Sequence, residues 1–193
     1  MRLAMGVLLG VIAAAPATAQ EAGDVGLTMG YPAAVGVVWH ITDAIALRPD
    51  VTVSTSSTES TSTTSGFGGG ATLVSTTTST SWTTAVGLSA LFYLKTIDRV
   101  RLYLAPRAAY LRTTIDIDDD QPLAGTFDNE SDGFVAAGAF GAQFNAHERF
   151  AIFGELGLQY TSQTSTSAFA LTRNRSENRT AGLRSAVGVT LYF

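Results

Sequence analysis

The chain has 193 residues, of which 46% are hydrophobic and only 15% charged, with 19 glycines, no cysteine and a formal net charge of −4. Soluble domains carry roughly a quarter charged residues, yet after residue 20 no apolar run approaches the roughly 20 residues that a membrane-spanning helix needs. The same composition excludes intrinsic disorder and disulfide stapling, leaving one domain that must meet lipid, or build its core, without long helices.

The first segment reads as an address. Arg2 gives a short basic start, Leu3 to Ala15 an apolar stretch of signal-peptide length, and Ala17-Thr18-Ala19 an A-x-A cleavage site. Residues 1–19 are therefore expected to be a signal peptide and 20–193 the single mature domain, with Gln20 as the mature start. No cysteine follows the site, so a lipoprotein anchor is not expected. Losing Arg2 leaves 11 basic against 16 acidic residues, a net charge of −5, which argues against a nucleic-acid partner.

From there a period of two runs along the chain. Val25, Leu27, Met29 and Tyr31 share one face of residues 24–31, and Pro32, which cannot donate in a ladder, predicts a turn there. The alternative for 24–31 is a bulged extension or a loose segment. Val35, Val37, Trp39 and Ile41 alternate with Ala34, Gly36, Val38 and His40. Ile45, Leu47, Pro49, Val51 and Val53 oppose Arg48, Asp50 and Thr52, and even positions from Trp82 to Leu94 oppose odd ones from Thr83 to Lys95. The pattern recurs over 101–112, 134–144 and 150–160, and ends with Leu183, Val187, Val189, Leu191 and Phe193 against Arg184, Ala186, Gly188, Thr190 and Tyr192.

Alternation over about ten residues, with aromatics near segment ends and a second face of Gly, Ala, Ser and Thr, predicts transmembrane β-strands. Connections alternate in length: 41–44, 95–100 and 145–149 are short, while 55–81, 113–132 and 162–178 are long. The expected fold is all-β: an eight-stranded antiparallel transmembrane β-barrel with short periplasmic turns and long extracellular loops. Closure follows from physics, because an open edge in hydrocarbon leaves backbone groups unpaired at several kcal/mol each.

With these strands, the cleavable start and the terminal Val187-Gly188-Val189-Thr190-Leu191-Tyr192-Phe193, the chain resembles the small outer-membrane β-barrels of the OmpA/OmpX-like superfamily. The resemblance implies a bacterial outer-membrane location, with outer-membrane lipid and lipopolysaccharide as surroundings. It also implies recognition by the barrel-assembly machinery through Val187, Val189, Leu191 and Phe193. With no soluble domain after Phe193, a peptidoglycan-tethering role is not expected.

Eight strands enclose a space that side chains fill. Strand phase points Arg48, Asp50, Arg107, Glu155 and Arg184 inward with Tyr93, Tyr103, Phe153, Gln143 and Gln159. Because buried charges must be paired, these are expected to form a structural network, with Arg48 or Arg107 on Glu155; the sharper alternative is a narrow path gated by switching pairs. A lipid-acting enzyme would need His and Ser near outer-leaflet lipid. His40 is instead predicted inward near a periplasmic turn, and His147 lies within the 145–149 turn. No nucleophile elbow, phosphate loop or zinc spacing occurs, so no catalytic residue, cofactor or metal is expected.

The loops divide by chemistry. From Ser54 to Ser65 every residue but Glu59 is Ser or Thr, as is all of Ser75 to Ser81, with Gly66-Phe67-Gly68-Gly69-Gly70 between. Thr favours strands and Gly permits a turn, predicting a two-stranded ribbon above the membrane, with a low-complexity loop as the alternative. Its edges would offer strand addition to a surface protein. Asp116, Asp118, Asp119, Asp120, Asp128, Glu130 and Asp132 suggest a calcium loop, but Gln121 and Phe127 occupy the positions that need Gly and Glu. A solvated acidic loop is preferred, with loose divalent-cation binding as the alternative. Arg173, Arg175 and Arg179 are candidate contacts to lipopolysaccharide phosphates, with free surface charges as the alternative. The function expected is that of a monomeric structural or surface-interaction barrel with a filled lumen; a narrow channel for small solutes or ions comes second, and a lipid-modifying enzyme third.

Overall fold

The computed structural model describes residues 20–32, 34–65, 72–119, 129–169 and 172–193. Eight strands follow one another: β1 Val25–Tyr31, β2 Ala34–Thr42, β3 Ile45–Ser65, β4 Thr72–Ile97, β5 Val100–Asp119, β6 Asn129–His147, β7 Phe150–Phe169 and β8 Thr172–Tyr192. Each pairs antiparallel with its neighbours in sequence, and β1 pairs with β8 to close the ring. Closure satisfies the ladder that hydrocarbon cannot. Among the described residues no helix is long and apolar enough to cross a membrane.

Alternation decides which way each side chain points. Val35, Val37, Trp39 and Ile41 are exposed on the outside of β2, while Val38 and His40 are buried inside it. The same phase holds through all eight strands, including β1, where Val25, Met29 and Tyr31 face out and Thr28 is buried. The segment expected at 24–31 is thus a true eighth strand, over Val25–Tyr31. Two aromatic rings bound the apolar outer face. Trp39, Phe92, Phe144 and Phe193 lie toward the periplasmic turns, and Tyr31, Trp82, Tyr110, Phe134 and Tyr160 toward the opposite rim. From Phe150 to Tyr160 a strand tilted by about 40° at about 3.3 Å per residue rises roughly 25 Å, the height of a lipid-facing band.

Two prolines sit within strands and leave their mark on the ladder. The β2–β3 register is constant from Gly36↔Asp50 to Trp39↔Leu47, but the positions between, opposite Arg48 and Pro49, do not pair. Likewise β4–β5 pairs Ser89↔Arg107 and Phe92↔Leu104 but not the positions between, where Pro106 stands. A proline has no N–H to give to that side; on its other side Pro106 keeps register with Gly138. At the periplasmic rim, the register shifts between His40 and Thr42, Tyr93 and Lys95, and Asn145 and His147, just before the three short turns. Such bulges add twist at barrel rims, and Asp98 takes a positive φ of 53° in the β4–β5 turn.

The outer connections differ from the expectation of long loops. Strands β3 and β4 stay paired as far as Ser65↔Thr72, which is the predicted ribbon. The described parts of 113–132 and 162–178, namely 113–119, 129–132, 162–169 and 172–178, are strand as well: β4 pairs with β5 out to Thr77↔Asp119, β6 with β7 from Asn129↔Ser167, and β7 with β8 out to Phe169↔Thr172. Polarity marks a segment as solvated without making it a loop, and Thr- and Ser-rich chains keep a ladder well. Hairpin β1–β2 is the exception. It turns at Tyr31 and Pro32, so β3 beyond Thr52 pairs with β4 alone and β8 before Val187 pairs with β7 alone. Strands β3 to β8 therefore continue above the ring as one curved sheet with two free edges, and the wall between those edges is low.

Candidate functional site: the filled lumen

Inward side chains stack in layers from the periplasmic mouth upward. The lowest is a polar plug. Gln20 ahead of β1 is buried, and its Oε1 accepts from Arg101 Nη1 at 2.8 Å and from Gln143 Nε2 and Asn145 Nδ2 at 3.2 Å each. Arg101 also donates to the Asp43 carbonyl, and its guanidinium lies 3.8 Å from the centre of the Tyr93 ring. Burial of this cation is offset by the carbonyl, the amide and the ring face together.

Above it lies an aromatic layer. His40 stacks on Tyr93 with centroids 5.4 Å apart, and Tyr93 meets Tyr103 at 5.5 Å. The His40 Nε2 lies 3.4 Å from the Tyr192 hydroxyl, which accepts from Gln143 Nε2 at 3.2 Å. Ala46, Leu91 and Ser89 are almost fully buried around these rings. Gly141 makes room for them, since the Tyr103 ring lies where a β-carbon would stand.

The charged layer comes next. Glu155, with its side chain 1% exposed, gathers three donors: Arg48 Nη2 at 2.6 Å and Tyr103 OH at 3.0 Å on Oε1, and Arg184 Nη1 at 3.2 Å on Oε2. Arg107 grips Asp50 with two bonds, Nε to Oδ2 at 3.1 Å and Nη2 to Oδ1. The fork geometry of guanidinium on carboxylate fits arginine and not lysine. Arg48 additionally lies 5.2 Å from the centre of the Phe153 ring. Higher still, Thr83 and Thr113 are 2.9 Å apart, Ser165 donates to Ser131 at 3.1 Å, and Gln159 donates to Thr161 at 3.2 Å.

The five charges predicted inward are thus brought together, and of the two arginines considered for Glu155 it is Arg48 that pairs with it while Arg107 takes Asp50. Arg101, Gln20 and Asn145 were not among the residues predicted for the lumen. Arg101 carries the inward phase and could have been included; Gln20 precedes the first strand, so no periodicity points it anywhere. Of the two histidines, His40 is inward as expected. His147 accepts from the Arg149 backbone N–H at 3.4 Å within its turn.

The outer charges are less free than expected. Arg112 pairs with Glu130 at 2.7 Å, which holds its guanidinium above its ordinary pKa, and Tyr110 OH donates to Asp132. Arg179 pairs with Glu177 at 2.7 Å, which raises its pKa in the same way, while Arg175 is exposed. Asp120 and Asp128 lie outside the described residues, as do residues 1–19 and 66–71; Asp116 is exposed, and Asp118, Asp119 and Arg173 are on strands. Among the described residues no group of His, Cys, Asp and Glu is arranged to hold a metal.

No protein-family model matches the chain, and no curated protein is significantly similar to it. Solved structures do match. A major outer membrane protein from Thermus thermophilus superposes with a TM-score of 0.59 at 13% identity, covering 88% of this chain and 98% of the other. CarO from Acinetobacter baumannii matches over 89% of this chain and 97% of its own at 13% identity, with a TM-score of 0.38. The first likeness gives the fold: this chain has the architecture of an outer-membrane β-barrel.

Proposed function

We propose that the protein is a bacterial outer-membrane barrel whose work is done at the cell surface, by the strands that stand above the membrane and not by its lumen. The observation that carries this reading is the contrast between the two halves of the molecule. The periplasmic half of the lumen is packed with Gln20, Arg101, His40, Tyr103 and Glu155, all buried, whereas β3 to β8 invest most of their extra length in a polar sheet above the outer aromatic ring. A sheet with free edges presents main-chain donors and acceptors to an incoming strand. Arg179 on β8 would meet lipopolysaccharide phosphates near the base of the sheet, and Arg175 and Arg173, higher on the same strand, phosphates farther out. Cleavage after Ala19, delivery by the barrel-assembly machinery through the strand ending at Phe193, membership of the OmpA/OmpX-like barrels, a monomeric state and the lack of enzymatic activity belong to the same proposal.

The test is deletion of residues 56–79 in cells displaying the protein, scored as adhesion to a protein-coated surface and as cell–cell aggregation. Loss of either with an intact barrel supports the reading; unchanged behaviour in both removes it. One observation favours a second reading, a narrow channel: a cavity of about 210 Å³ remains in the outer half of the lumen, bordered by Arg48, Asp50, Arg107, Glu155 and Arg184.

A further inference from the structure

That cavity does not sit under a complete wall. Its border includes Thr52, the last residue of β3 that pairs with β2, and Ala186, the first residue of β8 beyond its pairing with β1. Among the described residues, the chain between those two edges is the β1–β2 turn, and Tyr31 and Pro32 of that turn line the cavity as well. Small residues on this side, Gly30, Ala34 and Gly36, leave the space that the arginines face. Among the described residues, the low β1–β2 rim is therefore the shortest wall of the cavity.

The charges around it do not cancel. Arg48, Arg107 and Arg184 stand against Asp50 and Glu155, an excess of one positive charge. Arg107 is engaged by Asp50 through two nitrogens and Arg48 by Glu155 at 2.6 Å; Arg184 has the longest of the ion pairs, 3.2 Å, and is the most open of the three with its side chain 19% exposed. Outside the rim the surface is apolar: Tyr31 is 76%, Val187 58% and Leu183 82% exposed, all at the level of the lipid-facing band. At about 210 Å³ the space falls below the roughly 300–1,000 Å³ that hold a drug-sized ligand whole. It suits a head group whose tail stays outside.

We propose that this notch is a binding site for a single-chain amphiphile with a small anionic head, taken up sideways from the outer leaflet. The head group enters over Tyr31 and Pro32 and bonds to Arg184, whose remaining N–H groups supply the charge-assisted contacts. The acyl chain lies along Val187 and Leu183 in the lipid band. The site is independent of whether the surface sheet binds a partner, since it uses only the chamber and the short hairpin.

Dodecanoate is the probe. The full protein, refolded in a non-ionic detergent, is titrated with sodium dodecanoate and read by native mass spectrometry, with dodecyltrimethylammonium and acetate as controls. A single dodecanoate adduct is expected, neither displaced by acetate nor reproduced by the cationic amphiphile. Arg184→Gln should weaken it at least tenfold, and Ala186→Leu, which fills the chamber beside Glu155 while removing no charge, should do the same. Heat-dependent gel mobility reports that each variant is folded, and Ala186→Leu carries the test alone where Arg184→Gln does not fold. No adduct, equal binding of the cationic amphiphile, displacement by acetate, or unchanged affinity in the folded variants would each overturn the site.

Discussion

Glu155 is the residue on which the lumen turns, because it accepts from Arg48, Arg184 and Tyr103 while almost fully buried. Removing its charge leaves two cations in a poorly hydrated interior, and breaking a buried pair in this way costs about 3–5 kcal/mol. Glu155→Gln should therefore lower the urea midpoint of the folded barrel sharply. Arg184→Gln leaves Glu155 with Arg48 and Tyr103 and should lower the midpoint clearly less than Glu155→Gln. The comparison is read from urea titrations scored by gel mobility; equal midpoints for the two variants would contradict the assignment of Glu155 as the hub. Much at this scale was legible in the sequence, since Arg48, Asp50, Arg107, Glu155 and Arg184 all follow from strand phase. Their partners were legible only in part, with Arg48 or Arg107 expected on Glu155, because pairing across a lumen depends on the stagger of strands that are distant in sequence. Arg107 found Asp50 and not Glu155 for that reason.

At the scale of elements, the strands carry two separable jobs. The lower stretches make the barrel, and the upper stretches of β3 and β4 pair mostly through Ser and Thr backbones, with β4 also paired to β5 as far as Thr77↔Asp119. Deleting residues 56–79 should consequently leave the heat-dependent gel shift in place. Loss of the folded band would show that the ribbon is part of the barrel's stability. The sequence predicted this one ribbon from its Thr-rich arms. It did not predict that 113–119 and 162–169 continue as strand, because acidic and amide side chains there signal water as strongly in a solvated sheet as in a loop. Nor did loop length reveal the low wall: the tight turn at Tyr31-Pro32 was expected, but its consequence, a gap between the edges of β3 and β8, follows only once the ring is closed through β1 and β8.

For the whole molecule, the two aromatic rings fix how the barrel sits in lipid. Trp39 and Trp82 both face outward, one near each rim, and are 50% and 52% exposed. In vesicles made with lipids brominated near the head group, both should be quenched more strongly than by lipids brominated near the chain end, measured with Trp39→Phe and Trp82→Phe variants. Stronger quenching of either by the deep label would misplace the band. The central claim, however, concerns the lumen: the periplasmic half is closed by Gln20, Arg101, Tyr103 and their neighbours, and the surface sheet does the work. Planar-bilayer recording of the purified, refolded protein addresses it most directly. A closed lumen predicts a silent membrane at insertion levels confirmed by gel mobility, whereas reproducible single-channel steps, altered in size by Glu155→Gln, would contradict it.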